Sequence, residues 1–261
     1  MIGIMKKLKV IISGGGTGGH IFPAISIAKC LEKKIEDIEI LFVGANDRME
    51  MQKVPESGYN IKGLWISGFQ RSLSLKNLLF PFKLISSLLK SRIIINRFNP
   101  DLVIGTGGFA SGPLVYVASK KGIPSVIQEQ NSYPGITNKL LSRHTDKVCV
   151  SYDKMDQFFP NKKIEYTGNP IRESILNFKD KREEGRQMFK VNNTKITVLV
   201  IGGSLGAKTI NESIADNLST FKNNNLNLIW QTGTSFADHS SKLVERLNVN
   251  GINSHVFIKE I

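Results

Sequence analysis

Apolar residues occur along this chain in short dense runs, each followed by a glycine-rich turn and then by a stripe at helical spacing. LKVIIS (8–13) and IEILFVG (38–44) read as buried strands, and IFPAISIAKCLEKK between them reads as an amphipathic helix. DLVIGTGG (101–108) and PSVIQEQN (124–131) repeat the scheme around VYVASKKG, and DKVCVSY (146–152) adds another strand. Strands separated by helices predict an α/β fold with a parallel sheet covered on both faces, where ligands sit at the carboxyl ends of the strands.

The pattern starts again at KITVLVIGGSLGAKTINESIA (195–215), which echoes KVIISGGGTGGHIFPA near the beginning. Two Rossmann-like domains are therefore expected, 1–167 and 168–261, joined within TGNPIRESILNFKDKREEG. Only about two strand–helix repeats fit into the second, at roughly 30 residues each, and it closes on the apolar SHVFIKEI. An incomplete second domain, and hence a fragment of a longer protein, is the expectation.

Composition narrows the class. The 261 residues hold 35 Lys and Arg against 22 Asp and Glu, a net +13 that favours anionic partners. Both cysteines, Cys30 and Cys149, stand in apolar runs and read as buried thiols of a reducing, cytoplasmic compartment. The basic start MIGIMKKLKVII reads as the approach to a first strand rather than as a signal peptide, and no segment is apolar for long enough to span a bilayer.

Glycine turns follow the strands at three equivalent places, Gly14 to Gly19, Gly105 to Gly108 and Gly202 to Gly206. Each can aim backbone N–H groups and the positive end of a helix at an anion. Gly14, Gly16 and Gly19 fit the dinucleotide spacing, yet Gly44-Ala45-Asn46 stands where a nicotinamide site wants a ribose-binding acid, and Asp47 comes late. Gly202-Gly203-Ser204-Leu205-Gly206 also fits the nucleophile elbow of a serine hydrolase, with Asp238 or Glu245 and then His255 to complete a triad. That reading leaves the whole domain before Ser204 without a purpose.

Five motifs in order make the sequence resemble a known family: GGGTGGHIFPA (14–24), GTGGFASGP (105–113), QEQN (128–131), GNPIR (168–172) and GGSLGA (202–207). They are similar to those of the MurG family of GT-B glycosyltransferases, and the similarity runs from the first strand to the last residue. It implies an inverting hexosyltransferase of peptidoglycan synthesis that moves N-acetylglucosamine from UDP-N-acetylglucosamine to the MurNAc 4-hydroxyl of lipid I, giving lipid II, with no cofactor and no bound catalytic metal. The first domain would take the acceptor and the membrane, the second the donor. Motif by motif, the resemblance implies donor contacts at Thr17, Gly18, Gly19, Asn131, Arg172, Ser204 and Ile258 and acceptor-phosphate contacts at Gly15, Gly16, Gly107 and Gly108. A general base is expected at His20, with Glu129 either orienting it or capping the turn that follows. Gln128 stands where the family often has histidine, and Leu205 where it commonly has glutamine. The family's donor-binding glutamate and glutamines would lie past Ile261, so a catalytically inactive fragment that binds only membrane and acceptor is the further alternative.

The positive charge is concentrated from Ser57 to Pro100, where there is no Asp or Glu. Within it Leu75, Leu78, Leu79, Phe82, Ile85 and Leu89 share a helical stripe, flanked by Lys76, Lys83 and Lys90, with Pro81 at a helix start or kink. Aromatic stacking positions are sparse, which argues against nucleic acid. An apolar face with a basic margin fits an anionic membrane surface, and the family resemblance implies a peripheral protein on the cytoplasmic face of the bacterial inner membrane.

Overall fold

The computed structural model describes residues 7–68, 78–172, 175, 181–192, 194–203 and 206–258. The chain divides into two compact units, Met1–Glu173 and Ser174–Ile261.

The first unit is built on seven parallel strands: β1 (Leu8–Ser13), β2 (Ile38–Ala45), β3 (Asn60–Leu64), β4 (Leu102–Gly105), β5 (Ser125–Glu129), β6 (Lys147–Val150) and β7 (Ile164–Tyr166). Their order in the sheet is β3-β2-β1-β4-β5-β6-β7, all parallel, with Ile12 level with Phe42 on one side and Ile104 on the other. Alternation along β1 splits the core. Val10 and Ile12 pack under α1 (Gly18–Lys34) with Ile21, Ala24 and Ile25, while Ile11 faces the opposite layer with Val103, Leu114 and Ile127. That second layer is made by α3 (Phe80–Phe98), α4 (Ser111–Lys120) and the short α5 (Ile136–Leu141); α2 (Glu50–Glu56) packs on β2 and β3. Covering both faces is what lets the strands be apolar throughout.

Strand order reverses between β1 and β4. The two strands therefore diverge into helices on different faces, and a crevice opens outside their carboxyl ends.

In the second unit three parallel strands, β8 (Thr197–Ile201), β9 (Asn227–Gln231) and β10 (Ile252–His255), lie in the order β10-β9-β8. One face packs Leu228, Trp230 and Ile252 against α7 (Lys208–Asp216), α8 (Leu218–Asn223) and α9 (Ala237–Leu247). The other holds the small cluster Val191, Ile229 and Ile258, with Phe189 just after α6 (Arg182–Met188). Ile196, Leu199 and Ile201, at and before β8, are exposed. The last strand ends at His255; Val256 still accepts the Gly233 N–H (3.1 Å), but Val256 and Phe257 are solvent-exposed, and 259–261 of SHVFIKEI lie outside the described residues. Cys30 is exposed and Cys149 half-buried, so neither is the fully buried thiol expected: Cys30 sits on the outer side of α1, where the apolar stripe does not reach.

Candidate functional site

The turn after β1, the turn after β4 and the end of β5 converge at the crevice. They interlock by backbone: a Cβ on Gly108, whose φ is +79°, would come 2.2 Å from the Gly15 carbonyl oxygen. Thr106 Oγ1 adds a hydrogen bond to the His20 carbonyl (2.9 Å). The first two glycine turns thus form one surface.

His20, half-buried in the first turn of α1, stands at the centre. Its Nδ1 lies 3.0 Å from the Thr106 carbonyl and 3.1 Å from Gln130 Oε1. The Gln130 amide is oriented by its other end, since Nε2 donates to the Thr106 carbonyl (2.9 Å) and to Gln128 Oε1. Both atoms facing Nδ1 are acceptors, so Nδ1 carries a proton, and in the neutral ring the lone pair is on Nε2. The chain continues outward: Gln128 Nε2 donates to Ser151 Oγ (3.2 Å), which donates to Asn169 Oδ1 (2.7 Å), while Asn169 Nδ2 returns to the Gln130 carbonyl (3.3 Å). The QEQN and GNPIR motifs are in this way two ends of one network behind the histidine.

Glu129 does not touch His20. Its buried carboxylate accepts from Asn131 N and Nδ2 (3.1 and 2.9 Å), Gly135 N (3.2 Å) and Asn138 Nδ2 (2.9 Å), so all its capacity is spent on shaping the loop after β5. The side chain beside His20 is Gln130, which the sequence pattern does not single out because an acid is the residue type expected there. Asn131 is exposed with its Nδ2 held by Glu129, leaving its Oδ1 outward.

The phosphate-loop glycines also divide by role. Gly15 is buried, and a Cβ there would fall 2.1 Å from Glu50 Oε1. Glu50, fully buried at the start of α2, accepts from Gly16 N (3.0 Å) and Ala45 N (2.9 Å). The acid missing from the end of β2 is therefore present one turn later, turned inward to hold the glycine loop. Gly107 is buried against the His20 ring, with its Cβ position 2.9 Å from Nδ1. Gly15 and Gly107 make room for protein side chains, and the Gly16 N–H is committed to Glu50. The amides of Gly18 and Gly19 open α1 without intrahelical partners, beside the exposed Thr17, which makes no side-chain cap.

Arg172 falls in the first unit, with its guanidinium 5.2 Å over the ring of Phe22 in the first turns of α1. The stack holds an exposed positive charge near the open end of that helix.

In the second unit Gln231 braces the third glycine turn. Its Nε2 donates to the Gly203 carbonyl (2.8 Å) and its Oε1 accepts the Ile258 N–H (3.0 Å). Ile258 is buried and its amide is taken, which leaves its carbonyl for any ligand. Ser204 and Leu205 lie outside the described residues. The rest of the hydrolase constellation is not assembled: Glu245 accepts from Ser241 Oγ (3.0 Å), and His255 Nε2 is buried without a partner while its ring packs edge-on against Phe189.

On α3, Pro81 sits in the first turn and marks a start rather than a kink. Phe82, Ile85, Leu89 and Ile93 are half or more exposed in one line, joined by Leu78, Leu79 and Trp65. Leu75 and Lys76 lie outside the described residues. Lys83 departs from the expected solvated margin: it is half-buried, donates to Ser67 Oγ (3.0 Å) and lies 5.8 Å over Trp65. Lys90 and Arg97 edge the shallow apolar groove instead. Among the described residues no helix is long and apolar enough to cross a membrane.

Comparison with known proteins identifies the family. The model of the glycosyltransferase family 28 N-terminal domain matches residues 10–150. The chain is 56% identical over 239 residues to the UDP-N-acetylglucosamine--N-acetylmuramyl-(pentapeptide) pyrophosphoryl-undecaprenol N-acetylglucosamine transferase of Christiangramia forsetii, covering 91% of this chain and 65% of that one. It is 53% identical over 245 residues to the same-named protein of Flavobacterium psychrophilum, covering 94% and 67%. The chain thus spans about two thirds of the length of these curated relatives. Among solved structures, Acinetobacter baumannii MurG superposes with a TM-score of 0.67 at 26% identity, covering 97% of this chain and 67% of that one. A UDP-GlcNAc 2-epimerase from Neisseria meningitidis, at 16% identity, TM-score 0.65 and coverage of 97% and 73%, shares the fold alone. None of these relatives is named a hydrolase, and the serine-hydrolase alternative has no support.

Proposed function

The chain belongs to glycosyltransferase family 28, and from that premise we propose that it serves N-acetylglucosamine transfer from UDP-N-acetylglucosamine to the MurNAc 4-hydroxyl of lipid I, with inversion, giving lipid II. The observation that carries the proposal is the His20 tautomer: Nδ1–H is fixed by two acceptors, so Nε2 is a ready proton acceptor at the mouth of the interlocked glycine turns.

In this reading His20 Nε2 takes the proton of the acceptor hydroxyl as that oxygen bonds to the anomeric carbon. The bond from that carbon to the UDP oxygen breaks on the opposite face, and the departing charge is spread over the diphosphate. Arg172, held on Phe22, and the open α1 amides of Gly18 and Gly19, beside Thr17, supply positive potential for it. Asn131 Oδ1, the Ile258 carbonyl and Ser204 are the remaining proposed donor contacts. Gly16 and Gly108 line the crevice for the acceptor phosphates, with Gly15 and Gly107 acting through Glu50 and His20. The first unit is the acceptor and membrane side, and the second is the donor side.

The exposed line Leu79, Phe82, Ile85 and Leu89, edged by Lys90 and Arg97, supports docking on an anionic membrane surface, where a lipid-linked acceptor resides. We place the protein peripherally, on the cytoplasmic face of the bacterial inner membrane.

The test is acceptor-dependent release of UDP by the purified chain, with mass spectrometry of a soluble lipid I analogue. Addition of one N-acetylhexosamine is the expected result. Release of UDP that ignores the acceptor, or transfer unchanged in His20→Ala, overturns the proposal.

A further inference from the structure

Behind the glycine turns, on the side of α3 opposite its exposed line, lies a cavity of about 530 Å³. Phe80, Leu84 and Leu88 of α3 form one wall, Tyr116 of α4 another, and Leu140 of α5 stands at its mouth. Its lining is mostly apolar, the charged or ionisable side chains being the exposed Arg143 and His144 and the phenol of Tyr116. The membrane-facing line on the same helix, Phe82, Ile85 and Leu89, belongs to a different groove. The helix therefore carries two apolar faces, and packing among the described residues covers neither completely.

Phe109 connects this cavity to the proposed site. Its ring lines the cavity, and the same ring stands 3.1 Å from where a Cβ on Gly16 would lie, with the Arg48 guanidinium 5.8 Å over it. One residue thus separates a cationic, glycine-lined crevice suited to a diphosphate from an apolar cavity suited to a hydrocarbon. We infer that the cavity takes the first isoprene units of a polyprenyl diphosphate, threaded past Phe109 while the diphosphate stays in the glycine crevice. This rests on the transfer reading for the head group, and it adds that the lipid is recognised by the protein as well as held by the bilayer. Branched, unsaturated isoprene units fill a cavity of irregular width better than a straight chain does, and a volume in the range of small-molecule sites admits several of them.

The experiment is calorimetric titration of the chain without vesicles or detergent, using inorganic diphosphate and then geranyl, farnesyl and geranylgeranyl diphosphate. Affinity rises along the prenyl series, by about tenfold or more from the first to the last, as more apolar surface leaves water. Leu84→Trp and Leu140→Trp each flatten that rise while leaving inorganic diphosphate bound as in the parent. Leu140 is 64% exposed, so its replacement tests the cavity without threatening the fold. Equal affinity along the series, an undiminished rise in both tryptophan variants, or equally tight binding of a straight-chain alkyl diphosphate overturns the inference. If farnesol binds as well as farnesyl diphosphate and the tryptophans still block both, the cavity assignment stands and the phosphate site beneath the transfer reading falls.

Discussion

The imidazole of His20 and the amide of Gln130 are joined at 3.1 Å between Nδ1 and Oε1, and the amide has no freedom to turn because its nitrogen is bonded to Thr106 and Gln128. A neutral amide rather than a carboxylate thus joins the Thr106 carbonyl in setting the histidine tautomer. In the proposed transfer Gln130 acts through His20, as a positioning residue.

Gln130→Leu removes one of two acceptors from Nδ1 and frees the ring. It is expected to lower kcat for transfer by about tenfold while the KM for donor changes little, a smaller loss than the hundredfold or more expected for His20→Ala. The signature that a purely structural role would not give is spectroscopic: ¹⁵N shifts report a single Nδ1-protonated tautomer in the parent and a mixture in the variant. An unmixed tautomer in Gln130→Leu refutes the assignment.

Much of the fold and the outline of the site are legible in the amino-acid sequence. Strands 8–13, 38–44 and those near 101, 124 and 146 are dense apolar runs, and a parallel sheet covered on both sides has no other way to be written. The edges escape: β3 is NIKGL and β7 is IEY, short and half-exposed, so their side chains carry little burial signal. The glycine turns announce a crowded loop without saying what crowds it. Gly15 accommodates Glu50 and Gly107 accommodates His20, and only long-range packing could reveal either neighbour. Glu129 and Gln130 illustrate the same limit: the sequence leaves Glu129 open between the histidine and the following turn, and only the packing shows that it holds the turn while Gln130 meets His20.

Glu50 supplies a stability prediction. Its carboxylate is fully buried and satisfied by two backbone N–H groups, Gly16 and Ala45. Glu50→Gln keeps the volume but turns an NH₂ toward one of those donors, at an expected cost of about 1–3 kcal/mol, read as a lower urea midpoint for the first unit. Because the Gly16 loop loses an anchor, transfer falls with it. A variant as stable as the parent means that the loop is held by something other than this carboxylate.

The exposed line on α3 separates charge from apolar area. Ile85→Ser with Leu89→Ser, at positions 56% and 61% exposed, should weaken binding to anionic vesicles equally at low and high salt while leaving the thermal melt nearly unchanged. Lys90→Glu with Arg97→Glu should weaken it chiefly at low salt, each charge being worth about 1 kcal/mol near the surface. Lys83→Glu is expected to do more harm to the fold than to vesicle binding, since Lys83 is tied to Ser67 and Trp65. Vesicle sedimentation of the three variants distinguishes this face from an ordinary solvated helix, for which all three would sediment like the parent.

His255 links acidity to the stability of the second unit. Burial holds its imidazole below the ordinary histidine value, and among the described residues its buried Nε2 has no hydrogen-bond partner, while the ring packs edge-on against Phe189. The unfolded chain therefore takes up a proton, at pH below about 6.5, that the folded unit refuses. The sign follows from the difference in bound protons: this contribution to stability is intact above the unfolded value and declines as pH falls from there toward the lower folded value. Urea midpoints of the second unit should drop between about pH 7.5 and 5.5, and His255→Phe, which preserves an edge-on ring contact with Phe189, should remove that part of the slope. A parent and variant with parallel pH profiles would mean that the imidazole reaches water in the folded unit and titrates there as it does in the unfolded chain.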